Sequence, residues 1–97
     1  KYFFSHSKKI STPFFILYFS PKYSDTQKIA FIASKKVGNA VNRNRSKRIL
    51  REQISQQSIH PDVDIALVAK KHILSSQYDV IHNKLIESLK TVKLYLS

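Results

Sequence analysis

The residues best placed to do chemistry are cationic. Arg43, Arg45, Lys47, Arg48 and Arg51 stand close together, with Lys35 and Lys36 just ahead of them, and residues 35–51 contain no Asp or Glu. Seven of the seventeen Lys and Arg residues fall in that stretch, so the chain's ligand is to be sought there. A guanidinium offers a planar fork of donors to phosphate oxygens, and Asn44, set among the cations, can hydrogen-bond to a base edge or a sugar hydroxyl. Acid–base and metal chemistry have less to work with. The tight His/Asp group is His60, Asp62 and Asp64, and His60-Pro61-Asp62 has the form of a turn leading into a strand. His6, His72 and His82 have no carboxylate at ligand spacing. Six Asp and Glu in all, four of them outside that group, are too scattered for a two-metal site. The residues thus offer little for catalysis or metal binding, and point instead to a polyanionic partner.

A helix must carry the cations. From Asn42, an acceptable N-cap, no Gly or Pro interrupts the chain before Ser58, and Pro61 enforces a break. Wound at roughly 100° per residue, residues 42–57 place Arg43, Lys47 and Arg51 at i, i+4 and i+8 in one stripe. Asn44 and Arg48 flank the stripe; Ile49, Leu50 and Gln53 take another side, with Ile54 at its border. Like charges at i, i+4 weaken a helix by a few tenths of a kcal/mol per pair. A repelling stripe with no interleaved Glu implies a partner that brings the negative charge. The plainer alternative is a solvated charged face. A membrane-surface helix fits less well, because the apolar side is needed to pack on the rest of the fold.

The remaining elements form the platform. Residues 14–19, bracketed by Pro13 and Pro21, are aromatic and branched and read as a strand. Alternation puts Phe14, Ile16 and Tyr18 on one face and Phe15, Leu17 and Phe19 on the other. One set serves the core; the other is either buried under a second layer or a surface on which single-stranded bases stack. A second strand at about residues 28–34 follows a short polar loop, which suggests an antiparallel pair. Residues 35–41, with the single glycine Gly38, read as a loop. Residues 63–69 form a third strand, apolar on both sides. Ser76-x-x-Asp79 resembles a helix start, and Val80, Ile81, Leu85, Ile86, Leu89, Val92 and Leu96 recur at helical spacing. The order strand, strand, helix, strand, helix describes helices packed on a small sheet.

Bulk properties agree. The 97 residues suit one small domain, and 42% hydrophobic content with six Phe and five Tyr supplies one core. A formal net charge of +11 destabilises the compact chain by self-repulsion and so favours a polyanionic partner. Cysteine is absent, which fits a reducing cytoplasm. The longest apolar run, residues 14–19, is far short of the ~18 residues of a membrane span. No secretory signal stands at the start. The chain begins at Lys1 without an initiator Met, so sequence upstream is expected.

The run SKKVGNAVNRNRSKRILRE, residues 34–52, resembles the signature of the bacterial ribonuclease P protein family. The matching positions are Lys35, Lys36, Gly38, Val41, Arg43-Asn44-Arg45, Lys47-Arg48 and Arg51; Ser46 stands where the family often has an apolar residue. Weaker similarity extends over most of the chain, through PFFILYF, DVDIALVAKK and SSQYDVIHNKLIESL. The resemblance implies an α+β fold, a single-domain αβββαβα two-layer sandwich over residues 1–97. It also implies a left-handed βαβ crossover, similar to the second domain of ribosomal protein S5, with the first helix truncated. That fold adds a helix at the start and a short strand near residues 8–11. The resemblance further implies that Lys35, Lys36, Asn39, Arg43, Asn44, Arg45, Lys47, Arg48 and Arg51 contact the catalytic RNA subunit. Phe4, Ile16 and Tyr18 fall in a cleft for the single-stranded 5′ leader of precursor tRNA. The implied activity is that of an endoribonuclease holoenzyme. Its active site lies on the RNA, with Mg²⁺ bound mainly there, and neither a membrane nor a further protein is required. Two alternatives stay open on the residues alone: a ribosomal-type RNA-binding protein with no part in cleavage, and a protein-only nuclease using His60, Asp62 and Asp64.

Overall fold

The aromatic strand divides its side chains between two faces. In the computed structural model, which describes residues 2–96 and the side chains of residues 4–96, this strand is the second of four. Helix α1 (Tyr2–His6) and strand β1 (Lys8–Ser11) come first, followed by β2 (Phe15–Pro21) and β3 (Ile29–Ile32). Then come α2 (Ala40–Ser55), β4 (Val63–Ala69), a 3₁₀ turn at Lys71–Leu74, and α3 (Tyr78–Leu96). Phe15, Leu17 and Phe19 of β2 are buried, while Ile16 and Tyr18 are half-buried on the other side. Phe14 does not join Ile16 and Tyr18. It precedes the strand and is buried, because the Thr12 hydroxyl accepts the N–H groups of Phe14 and Phe15 and turns the chain there.

The sheet order is β1-β2-β4-β3. The expected direct pairing of β2 with β3 does not occur: β4 lies between them, antiparallel to β2 and parallel to β3. The composition of β4 explains this. Val63, Ile65, Leu67 and Ala69 point to one face, and Ala66 and Val68 to the other, so the strand belongs in the centre with both edges paired. The loop of residues 22–28 therefore crosses the start of β4, and the crossing is hydrogen-bonded. Gln27 Nε2 donates to the carbonyls of His60 and Val63, both at 2.7 Å, and the buried Asp64 Oδ1 accepts the Lys28 N–H at 2.9 Å. The parallel pair β3 and β4 is joined through α2, the βαβ unit the resemblance implies. The additional first helix and first strand are also present, so the element order and the α+β class agree with it.

Both long helices cover one face of the sheet. Leu50 and Ile54 of α2, and Ile81, Leu85, Leu89 and Val92 of α3, form the core with Phe15, Leu17, Phe19, Ile65 and Leu67. Burying each such side chain contributes about 1.5–3 kcal/mol. The helices are tied together by Gln53, which is fully buried. Its Nε2 donates to the Tyr78 carbonyl at 3.2 Å, and its Oε1 lies 3.0 Å from His82 Nδ1. Helix α3 starts at Tyr78 rather than at a Ser76 cap, because the Ser76 hydroxyl is turned back to the His72 carbonyl at 2.7 Å. No helix among the described residues is long and apolar enough to cross a membrane.

Candidate nucleic-acid interface

Helix α2 begins two residues earlier than its apolar pattern suggests. The N-cap is Asn39, not Asn42: Asn39 Oδ1 accepts the Asn42 N–H at 2.9 Å, satisfying one of the orphan donors of the first turn. The helix ends at Ser55 rather than at residue 57. Gly38, just before the cap, sits at φ +139°, a conformation that residues with a side chain rarely adopt, so the turn into the helix favours glycine; a Cβ there would also crowd the Asn42 amide at 3.0 Å. Buried Val37 pins this turn, and the exposed Lys35 and Lys36 are thereby held beside the start of the helix.

The buried stripe of α2 is Ser46, Leu50, Gln53 and Ile54. Ser46 replaces an apolar contact without loosening the helix, since its hydroxyl donates to the Arg43 carbonyl at 2.8 Å while the side chain is inaccessible. Arg43 and Lys47 run half-buried along the margin of that stripe, and Arg51 continues it, its guanidinium 5.2 Å from the ring centroid of Phe31 on β3. A cation over an aromatic face is attracted by the ring quadrupole; here it also fixes the fork beside the β3 edge. Asn44, Arg45 and Arg48 face solvent. The ion pairs among the described residues are Lys22–Asp62 at 3.8 Å and Lys84–Glu87 at 3.7 Å, and neither involves α2. The cationic face is thus solvent-facing and lacks internal counterions. All nine residues expected to contact RNA lie on α2 or the turn that leads into it, although Asn39 has Oδ1 committed to the cap.

A second surface lies on the sheet face away from α2 and α3. Register aligns Lys9, Tyr18, Ala66 and Ala30 across all four strands, and Ser11, Ile16, Val68 and Ile32 in the next row. Phe4 of α1 stands over the first row, edge-on to Tyr18 with ring centroids 4.8 Å apart. Beside them an apolar cleft of about 230 Å³ has Phe4 and Tyr23 as walls and Ala30, Ile32 and Ala66 as floor, with Lys28 at its rim. The structure brings Phe4 and Tyr18 into contact and sets Ile16 one row away on the same face. Tyr23, Lys28 and the two alanines escape sequence reasoning. Alanine carries no binding signature, and only the register reveals that small residues on two strands make room for a planar group between the aromatics.

His60, Asp62 and Asp64 do not converge. His60 Nδ1 accepts the Asp62 N–H at 3.1 Å, within the turn that leads into β4. Asp62 faces Lys22 at the surface, and Asp64 is buried on β4 with the Lys28 amide. Among the described residues no three His, Asp, Glu or Cys side chains are grouped to hold a metal ion.

Comparison with known proteins identifies the family of a chain with this fold and this cationic helix. A family model described as Ribonuclease P matches residues 1–93. The ribonuclease P protein component of Streptococcus agalactiae is 33% identical over 88 residues, covering 90% of this chain and 81% of that protein. The RNase P protein of Staphylococcus aureus superposes with a TM-score of 0.76 at 28% identity, covering 94% of this chain and 85% of the other. The RNase P protein of Thermotoga maritima has the same fold, with a TM-score of 0.79 at 23% identity over 93% of this chain and 87% of the other. The chain therefore belongs to the Ribonuclease P family, the family of the protein components of that ribonuclease.

Proposed function

We propose that this chain divides RNA binding within a ribonuclease P holoenzyme between its two surfaces. Family membership makes it an RNA-binding subunit in the processing of tRNA 5′ leaders. In our reading, α2 and the turn before it dock on the catalytic RNA through Lys35, Lys36, Asn39, Arg43, Asn44, Arg45, Lys47, Arg48 and Arg51. The cleft holds the single-stranded leader of precursor tRNA, with Phe4, Ile16 and Tyr18 as its contacts. The observation that carries this reading is the pairing of a counterion-free cationic helix with an aromatic, small-floored cleft on the opposite sheet face. Phosphates suit the first because Arg and Lys neutralise them regardless of sequence. Unstacked bases suit the second because every base has a π face to lay on a ring.

The chemistry is assigned to the RNA subunit. The carboxylates of Asp62 and Asp64 are engaged with Lys22 and the Lys28 amide, and they share no site with His60. Mg²⁺ is accordingly placed on the RNA. The protein's positive field reduces phosphate repulsion around it, which lowers the Mg²⁺ concentration the holoenzyme needs. The setting we propose is the cytoplasm. Cleavage of precursor tRNA by protein alone, RNA alone and the two together tests the assignment. Activity that requires the RNA and improves with protein at low Mg²⁺ is expected; cleavage by the protein alone would refute it.

A further inference from the structure

The cleft is short for the strand it is proposed to hold. Four strands at a spacing of about 4.8 Å make the sheet roughly 14 Å wide. That width accommodates about four nucleotides even when they are stacked ~3.4 Å apart. A longer leader must leave the sheet over an edge. The β3 edge is flanked by the α2 cations, with Arg51 over Phe31. If those cations hold the catalytic RNA, as proposed above, the cut end of the leader lies on that side. The distal end then leaves over β1, an exit path that rests on that reading of α2.

The β1 edge is built to receive it. Lys9 pairs with Tyr18 on the cleft face and Lys8 with Phe19 on the core face, so the two exposed ammonium groups flank the edge from opposite sides. Lys9 lines a second, wider pocket with Phe4 and Tyr18, next to the cleft on the same sheet face. Lys8 Nζ lies 5.1 Å from the ring centroid of Tyr95, on the last turns of α3, and that ring packs edge-on against Phe19 with centroids 5.7 Å apart. Tyr95 is nonetheless 57% exposed. Beside it a pocket of about 290 Å³ opens between Phe19, Pro21 and Leu96. Neither lysine takes part in an ion pair among the described residues. Lys8 is therefore a cation steadied by an aromatic face, directly around the edge from the cleft.

We propose that Lys8 and Tyr95 form an exit subsite for the phosphodiester backbone of the leader beyond the cleft. Lys9 takes a phosphate at the rim, the strand bends over β1, and Lys8, steadied by Tyr95, takes a following phosphate. This recognition is independent of sequence and makes affinity depend on leader length.

The test uses holoenzyme assembled with the RNA subunit, under conditions that prevent cleavage, and precursor tRNAs with leaders of about four and about ten nucleotides. The wild-type protein should bind the longer leader more tightly, with a log–log salt slope steeper by ~0.7 per additional phosphate neutralised. Lys8→Gln and Tyr95→Leu should remove about three- to tenfold of long-leader affinity. Short-leader and RNA-subunit binding should stay unchanged, and Lys8→Arg should retain the gain. A wild-type protein indifferent to leader length overturns the subsite. So does a Lys8→Gln protein that keeps the full long-leader gain and its salt slope, or one that loses affinity for both leaders alike. Tyr18→Ala, measured alongside, separates the two levels. If it weakens both leaders while Lys8→Gln changes nothing, the subsite is wrong and the cleft stands. If it binds both leaders as the wild type does, the cleft reading falls and the subsite falls with it.

Discussion

Helix α2 and the outer face of the sheet are both open to solvent, yet they are constructed from opposite materials. The exposed side of α2 is charge on long side chains, held by a cap, a glycine turn and a buried stripe only four residues strong. The outer sheet face is mostly rings and methyl groups, with Lys9 and Ser11 at its β1 margin, fixed by strand register and by one short helix leaning on Tyr18. The first can adjust to a phosphate lattice but is sensitive to salt. The second, on the proposed reading, meets flat apolar faces of bases, a contact that salt does not screen. On the proposed division, two RNA partners are bound by different physics on one small protein, and each surface should be open to damage without the other.

The largest expected effect comes from replacing Arg43, Lys47 and Arg51 together by Ala. Affinity for the RNA subunit should fall on the order of 100-fold at low salt. The log–log salt slope should flatten by about 0.7–0.9 for each phosphate no longer neutralised. The preference for precursor over mature tRNA, measured in the same titrations, should survive. An unchanged slope would move the RNA-subunit site off α2.

Stability effects should be just as local. Asp64→Ala leaves the Lys28 amide without its acceptor where the 22–28 loop crosses β4, at a cost of about 1–3 kcal/mol. Because Lys28 and Tyr23 border the cleft, the variant should lose leader binding while keeping RNA-subunit binding, once denaturant unfolding has fixed the loss in stability. Asn39→Ala should do the reverse. Loss of the cap costs about 0.5–2 kcal/mol, and the weakened first turn should lower RNA-subunit affinity and leave the leader preference alone. The smallest effect is expected from His60→Ala combined with Asp62→Ala. Their side chains reach neither surface, and the His60 carbonyl that holds Gln27 is kept in the double variant, so holoenzyme cleavage should stay within a few fold of wild type. A drop of orders of magnitude in a folded variant would return the chemistry to the protein.

Legibility in the sequence follows the range of the interactions. The stripe Arg43, Lys47, Arg51 is readable because helical spacing is a local property, and the grouping of Phe15, Leu17 and Phe19 on one face because strand alternation is too; which face turns inward is not. The N-cap falls three residues before the position the sequence suggests: Asn39 and Asn42 are equally good caps by type, and only the left-handed Gly38 decides between them. Strand order departs from expectation because adjacency along the chain favours β2 beside β3. The deciding fact is that β4, apolar on both faces, needs both its edges paired. The hydrogen bonds that permit the crossing come from Gln27 and Asp64, more than thirty residues apart. The cleft floor is invisible for the same reason, since Ala30 and Ala66 acquire meaning only when register aligns them with Tyr18.

The central claim, that one surface serves the RNA subunit and the other the leader, is tested most directly with Tyr18→Ala. Its affinities for the RNA subunit, for precursor tRNA and for mature tRNA should be measured side by side in assembled holoenzyme. Loss of a ring that stacks on a base should weaken precursor binding by roughly 1–3 kcal/mol. Mature tRNA, which has no leader, and the RNA subunit, which contacts α2, should bind as before. Equal losses for precursor and mature tRNA would mean that Tyr18 supports the fold rather than the leader, and would contradict the division.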